Sequence, residues 1–309
     1  MSKNEMMCAD GYGKLHVFRA TECCEDEITA LKEQIANLEE DVQDAKLDGA
    51  VEVNGPSVNS PTSNLKMTGE VTTATNVTGK SLFMHNTKVT AKVVVNVTEN
   101  VEANDVVVDG AYPGSGSVFS LNNADKVVYK NMKFNATDAY NGVEVGLSST
   151  DFPTEVVFED CVFTGTLRNN AISVFGMKEN GVITLKNCEF ESVSNVLRYS
   201  NKLNVNGVTI NFVNCKIKAW AKEPEYAGLV ICQDYTSKTP EETVTNDLFT
   251  NDKLTINVEN TYYDGDNMTN VVKKHGVQNT VVYVYRDKGN PKAVQYADNA
   301  EAYPKVVVK

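Results

Sequence analysis

Val156-Val157-Phe158-Glu159-Asp160-Cys161-Val162-Phe163 aligns without a gap on Ile183-Thr184-Leu185-Lys186-Asn187-Cys188-Glu189-Phe190 and on Ile210-Asn211-Phe212-Val213-Asn214-Cys215-Lys216-Ile217. The cysteines of the three copies fall at a strict interval of 27 residues. An earlier copy, Val127 to Phe134, precedes them, and a later one, Ile256 to Tyr263, follows after an insertion. Within each copy alternate residues, such as Val156 and Phe158, point to one side of a strand. A bend follows, ending in Asn131, Asp160, Asn187, Asn214 or Asn260. Asn and Asp are the residues that best tolerate the left-handed backbone of such a corner. Each copy carries a further strand: Val143 to Leu147, Ile172 to Val174, Leu197 to Tyr199 and Leu229 to Ile231.

A unit of this kind cannot bury its apolar face alone, but stacked units can. The pattern therefore predicts a mainly β chain built as a right-handed parallel β-helix. The hexapeptide period of a left-handed β-helix is missing, and a β-sandwich would not hold a gapless register over three copies. Stacking also places Cys161, Cys188 and Cys215 in one buried column of small apolar side chains. No CxxC pair occurs among the seven cysteines, so neither a zinc site nor a redox motif is expected.

Upstream, Ile28, Leu31, Ile35, Leu38, Val42 and Ala45 recur at alternating intervals of three and four residues. This is the a/d seam of a short α-helical coiled coil, with Ile28, Ile35 and Val42 at a and Leu31, Leu38 and Ala45 at d. Glu25, Asp26 and Glu27 suit a helix start, and Gly49 a helix end. Between parallel copies Glu27 would face Lys32 and Asp41 would face Lys46. The expected organisation is an N-terminal anchoring segment (1–24), a coiled-coil stalk (25–48), a Pro/Ser/Asn-rich linker (49–69), the β-helix (70–275) and a C-terminal β cap (276–309). The first segment fits no long helix and no repeat. It reads either as a disordered tail or as a docking segment that folds on a partner, with Tyr12, Leu15, Val17 and Phe18 as its apolar contacts.

The chain of 309 residues carries 29 Lys+Arg against 41 Asp+Glu, a formal net charge of −12. That balance argues against a nucleic-acid partner and gives no help on an anionic membrane. No secretory signal and no membrane-spanning run is visible, so synthesis in a cytoplasm and no membrane insertion are expected.

Catalytic chemistry finds little support. Asn123-Ala124-Asp125 and Arg286-Asp287-Lys288 match pectin-hydrolase motifs by letter. No Asp-Asp pair exists, Lys274-His275-Gly276 stands in place of Gly-His-Gly, and the spacing is too wide. Glu144, Asp138 and Asp151, or Asp234, Glu241 and Glu242, read as solvated loop charges. The chain is expected to have no catalytic residues, no metal and no cofactor. Aromatic residues beside the insertion, Trp220, Tyr226 and Tyr235, are the candidates for glycan contact.

In its layout of N-terminal segment, stalk, linker, β-helix and terminal β segment, the chain resembles phage tailspikes and head fibres. The short anchor is most similar to head fibres, with those of crAss-like phages of gut bacteria the nearest. The resemblance implies a structural virion fibre, or capsid decoration, made in the host cytoplasm. Its N-terminus would dock on the major capsid protein or another virion protein, and its β-helix would serve adhesion to host glycans. Ile at a with Leu at d favours dimers. The resemblance implies a trimer, which is expected ahead of a dimer. A polysaccharide depolymerase of the tailspike kind is the alternative, and a cellular surface adhesin a third reading.

Overall fold

The alternation of the copies becomes parallel strand pairing in the computed structural model of the protein. It describes residues 5–9, 15–19, 25–113, 116–191, 195–217, 229–233, 248–263, 282–287, 290–294, 297–298 and 300–309. Residues 1–49 and 50–309 are two separate units. The second is mainly β, one long and mostly parallel sheet consistent with a β-helix.

Three ladders make up its regular part. The first runs through Lys126–Lys130, Glu155–Glu159, Val182–Lys186, Val208–Val213 and Leu254–Glu259. The second stacks Lys133–Thr137, Val162–Thr166, Glu189–Phe190, Lys216–Ile217 and Tyr262–Tyr263. The third stacks Ser117–Asn122, Asn141–Val145, Asn170–Val174, Asn195–Tyr199 and Val230–Gln233. The aligned copies sit directly on one another: Val156 pairs with Ile183 and Ile183 with Ile210, while Phe158 pairs with Leu185 and Leu185 with Phe212.

Inward residues form the core. Phe163 lies between Phe134 and Phe190, with ring centroids 5.4 and 5.1 Å away. Each such ring contributes roughly 1.5–3 kcal/mol by its burial. Cys161, Cys188 and Cys215 occupy their expected column, wholly buried and unbridged. Their thiols donate to the carbonyls of Tyr129, Phe158 and Leu185 at 3.5, 3.4 and 3.3 Å. Contact with the Cys188 thiol, reinforced by burial, holds the thiols of Cys161 and Cys215 far above the ordinary range.

The corners between the first and second ladders adopt the left-handed backbone that their residues predict. Asn131, Asp160, Asn187, Asn214 and Asn260 have φ of +52°, +54°, +54°, +54° and +43°. Their side chains also link one coil to the next. The Asn187 amide donates to Asp160 Oδ1 at 3.0 Å, and that of Asn214 to Asn187 Oδ1 at 3.2 Å.

The segment expected as a linker is part of the sheet. Ser57–Val71 is a strand paired in parallel with Thr75–Val89, and Val51–Glu52 pairs with it in turn. Leu65 and Met67 are fully buried, because they alternate with Asn64, Lys66 and Thr68 at the strand period. Pro61 lies within the register shift between Ser60 and Asn64, where a missing N–H breaks no regular rung. At the other end the ladders continue. Val282–Asp287 pairs with Val230–Gln233, and Lys305–Val308 pairs with Leu254–Glu259. Asn290–Val294 folds back antiparallel on Val282–Asp287.

In the first unit, Glu5–Ala9 and Leu15–Arg19 pair as an antiparallel hairpin, where the sequence shows neither helix nor repeat. A single helix, α1 (Glu25–Leu47), follows. No helix among the described residues is long and apolar enough to cross a membrane.

Candidate functional site

The acidic start of α1 faces the positive end of the helix dipole, and Gly49 closes it at φ +71°. Its apolar stripe is uncovered. Ile28, Leu31, Ile35, Leu38 and Val42 keep between 47% and 62% of their surface in contact with solvent, and Ala45 is exposed too. Residues 28–35 are exposed all round. Most helices in proteins draw their stability from a packed apolar face rather than from propensity. Five large apolar residues thus line one face of the helix and stand exposed to solvent.

A second feature lies on the outward side of the third ladder. On Asn141–Val145, Asn170–Val174 and Asn195–Tyr199 every residue is buried, outward ones included. The outward rung joins Glu144, Ser173 and Arg198 in register. Glu144 is 7% exposed and Arg198 6%. Beside them runs a column of Asn141, Asn170 and Asn195. The Asn141 amide donates to Glu144 Oε1 at 2.8 Å, and that of Asn170 to the Ser173 hydroxyl at 3.2 Å. Asn141 Oδ1 accepts the Asn170 amide at 3.1 Å. The Arg198 guanidinium stacks 4.4 Å from the centre of the Phe175 ring. Buried carboxylates and guanidinium groups are costly unless they are met by such partners.

No family model, curated protein or solved structure matches this chain.

Glu144 therefore departs from the solvated-charge reading, whereas its two companions keep to it. Asp138 sits 3.8 Å from Arg168, and Asp151 3.4 Å from Lys178, with both acids exposed at the surface. A signal for Glu144 was present in the sequence. Asn141-Gly142-Val143-Glu144, Asn170-Ala171-Ile172-Ser173 and Asn195-Val196-Leu197-Arg198 repeat Asn three residues before a polar residue at one register. The Asn123-Ala124-Asp125 letters shared with pectin hydrolases have structural employment here. Asn123 is a left-handed corner at φ +60° whose Oδ1 accepts the backbone N–H of Thr150 at 2.9 Å. Asp125 accepts from Lys178 Nζ at 2.9 Å, and that hydrogen bond raises the lysine pKa.

The other predicted contact residues are placed only in part. Leu15, Val17 and Phe18 lie on the second strand of the hairpin, opposite Ala9, Met7 and Met6. Tyr12, Trp220, Tyr226 and Tyr235 lie outside the described residues, as do Asp234, Glu241, Glu242 and His275.

Proposed function

We propose that this protein is a structural and adhesive fibre, of the head-fibre kind found on phage virions. In this reading α1 is the coiled-coil stalk that gathers copies of the chain, a trimer ahead of a dimer. The hairpin, through Leu15, Val17 and Phe18, with Tyr12, docks on a capsid protein. The parallel sheet is a β-helix, right-handed because parallel crossover connections are overwhelmingly so. It projects as a display surface, and the region of Trp220, Tyr226 and Tyr235 contacts host glycans. Weak contacts then add up because many copies share one particle.

The observation that carries the reading is the uncovered stripe from Ile28 to Val42 at heptad spacing. A displayed fibre has use for such a seam, since it gathers the copies at their stalks. Light-scattering mass of the full chain tests it. A mass two or three times that of the chain is expected, with collapse to a monomer in Ile35→Asp/Leu38→Asp. A monomeric unmodified chain would overturn the proposal.

A further inference from the structure

The chain contains four Asn-Gly pairs: Asn54-Gly55, Asn141-Gly142, Asn180-Gly181 and Asn206-Gly207. Asparagine followed by glycine is a labile setting for a side-chain amide, because glycine has no Cβ to shield its backbone nitrogen. The four pairs share their letters, but the fold gives them different surroundings. We infer that Asn54 is a modification site. In the folded chain it converts spontaneously to aspartate and isoaspartate, while the fold protects the other three.

The reaction needs water alone. The Gly55 backbone nitrogen gives up its proton and attacks the side-chain carbonyl carbon of Asn54. The new bond closes a succinimide ring, and the side-chain nitrogen leaves as ammonia, taking that proton. Water then adds to either ring carbonyl and breaks its bond to nitrogen. Opening at the side-chain carbonyl gives aspartate. Opening at the main-chain carbonyl gives isoaspartate, with the chain routed through the former side chain. Water replaces ammonia, and nothing is oxidised or reduced. The step requires an amide that water can reach, a glycine N–H that is not held elsewhere, and room for the ring.

Of the four, Asn54 meets these requirements. It is exposed, and neither its amide nor the Gly55 N–H makes a hydrogen bond among the described residues. A Cβ placed on Gly55 would meet nothing within 4 Å. The Asn141 side chain is wholly buried, donates to Glu144 at 2.8 Å and accepts from the backbone and side-chain nitrogens of Asn170, both at 3.1 Å. Asn180 stands at a left-handed corner, φ +58°, and the Gly181 N–H donates to the Lys178 carbonyl at 3.0 Å. The Gly207 N–H donates to the Asp252 carbonyl at 3.0 Å, while the Asn206 carbonyl accepts the N–H of Asn180 at 3.0 Å. At both of these pairs the attacking nitrogen must first leave a backbone hydrogen bond. Asn54 also lies between rungs. Val51–Glu52 pairs with Leu65–Lys66, and Ser57 pairs with Asn76. The extra backbone atom of isoaspartate therefore falls outside the ladder, and conversion adds a negative charge without shifting the register.

The full-length protein, native and unfolded in guanidinium chloride, is held in mildly alkaline buffer and sampled over days. Peptide mapping by mass reads conversion at each of the four asparagines. An isoaspartyl methyltransferase acting on the digest marks the isoaspartate. In the native protein Asn54 should convert roughly ten-fold faster than Asn141, Asn180 or Asn206, since hydrogen bonds must be given up at those three. In the unfolded chain that gap should close. Native rates that are equal, faster conversion at another pair, or an Asn54 that stays intact in the native protein would overturn the inference. A preference for Asn54 that survives unfolding would place the selection in local sequence and overturn it too. Urea midpoints of fresh and converted protein give a second readout and should agree. A fall that tracks the isoaspartate fraction at 54 would overturn the placement of this residue outside the register.

Discussion

Asn187 offers a sharp test of why the coils turn where they do. It stands exposed at a corner with φ +54°, donates to Asp160 Oδ1 at 3.0 Å and accepts from Asn214 at 3.2 Å. Alanine there keeps the backbone but meets the left-handed conformation with an unassisted Cβ, at a cost of about 1–2 kcal/mol. It also removes two solvent-exposed hydrogen bonds, each worth about 0.5 kcal/mol at the low end of the usual range. The sum for Asn187→Ala is about 2.5 kcal/mol. Glycine loses the same two bonds but adopts positive φ freely. Its added cost is the larger entropy of its unfolded chain, about 0.5–1 kcal/mol. Asn187→Gly should therefore cost about 1.5–2 kcal/mol. Within an ordinary strand the order is the reverse, with glycine the worse residue. Urea unfolding followed by far-ultraviolet circular dichroism reads the order from the midpoints, provided the slopes agree. An alanine variant as stable as the glycine variant, or more so, would refute the claim that backbone conformation selects the corner residue.

Other perturbations probe the core and the charged rungs. The Tyr129 ring stacks on Phe158, and its hydroxyl is wholly buried with no hydrogen-bond partner among the described residues, so that burial drives its pKa far upward. Tyr129→Phe should leave thermal stability unchanged or raise it by up to about 1–2 kcal/mol, since an unsatisfied buried group is removed. A clear loss would reveal a partner for that hydroxyl. Glu159 lies between Lys186 at 2.6 Å and Lys130 at 3.5 Å, and its pKa is lowered, first by the hydrogen bond from Lys186. A depressed carboxyl stabilises the fold above its unfolded value, about 4.3, and that contribution fades as pH falls through the folded value. Asn or Gln cannot titrate, so Glu159→Gln should flatten the fall in urea midpoint between about pH 5 and pH 3; an unchanged slope would show the ion pairs to be idle. Cys161, Cys188, Cys215 and Cys232 are all fully buried. None of the four should take up iodoacetamide in the native protein, and all should do so in urea; native labelling of any of them, read by peptide mass, would contradict its burial in the core.

The repeat was legible because three copies keep one length. Val156, Ile183 and Ile210 announce a ladder by position alone, and the left-handed corners follow from the residue types at Asp160, Asn187 and Asn214. The first rung was hidden by its composition. Between Ser57 and Val71 only Leu65 and Met67 show the alternation clearly, and the neighbouring prolines and serines speak for a loop. Glu144 was misread for a different reason. A glutamate looks like a surface residue until its strand neighbours show that Ser173 occupies the same rung, and burial is a property of the whole face. The helix of α1 and its exposed apolar stripe were readable in the sequence, since that spacing needs no tertiary context.

The first ladder holds a consequence for how such a chain changes over time. Neighbouring coils are usually set 27 residues apart, yet Asn211 and Asn257, 46 residues apart, meet side chain to side chain at 2.9 Å as ordinary rung neighbours. Chain length in that interval is thus uncoupled from the register of the core. Doubling a loop adds only about 0.6 kcal/mol of closure entropy, and each coil touches only its neighbours. A lineage can change the length and sequence of the chain between residues 217 and 229, or between 233 and 248, while Lys216–Ile217 and Val230–Gln233 keep their places in the second and third ladders. Variation is cheap between those strands and expensive within the rungs, whose side chains fill the columns of the core.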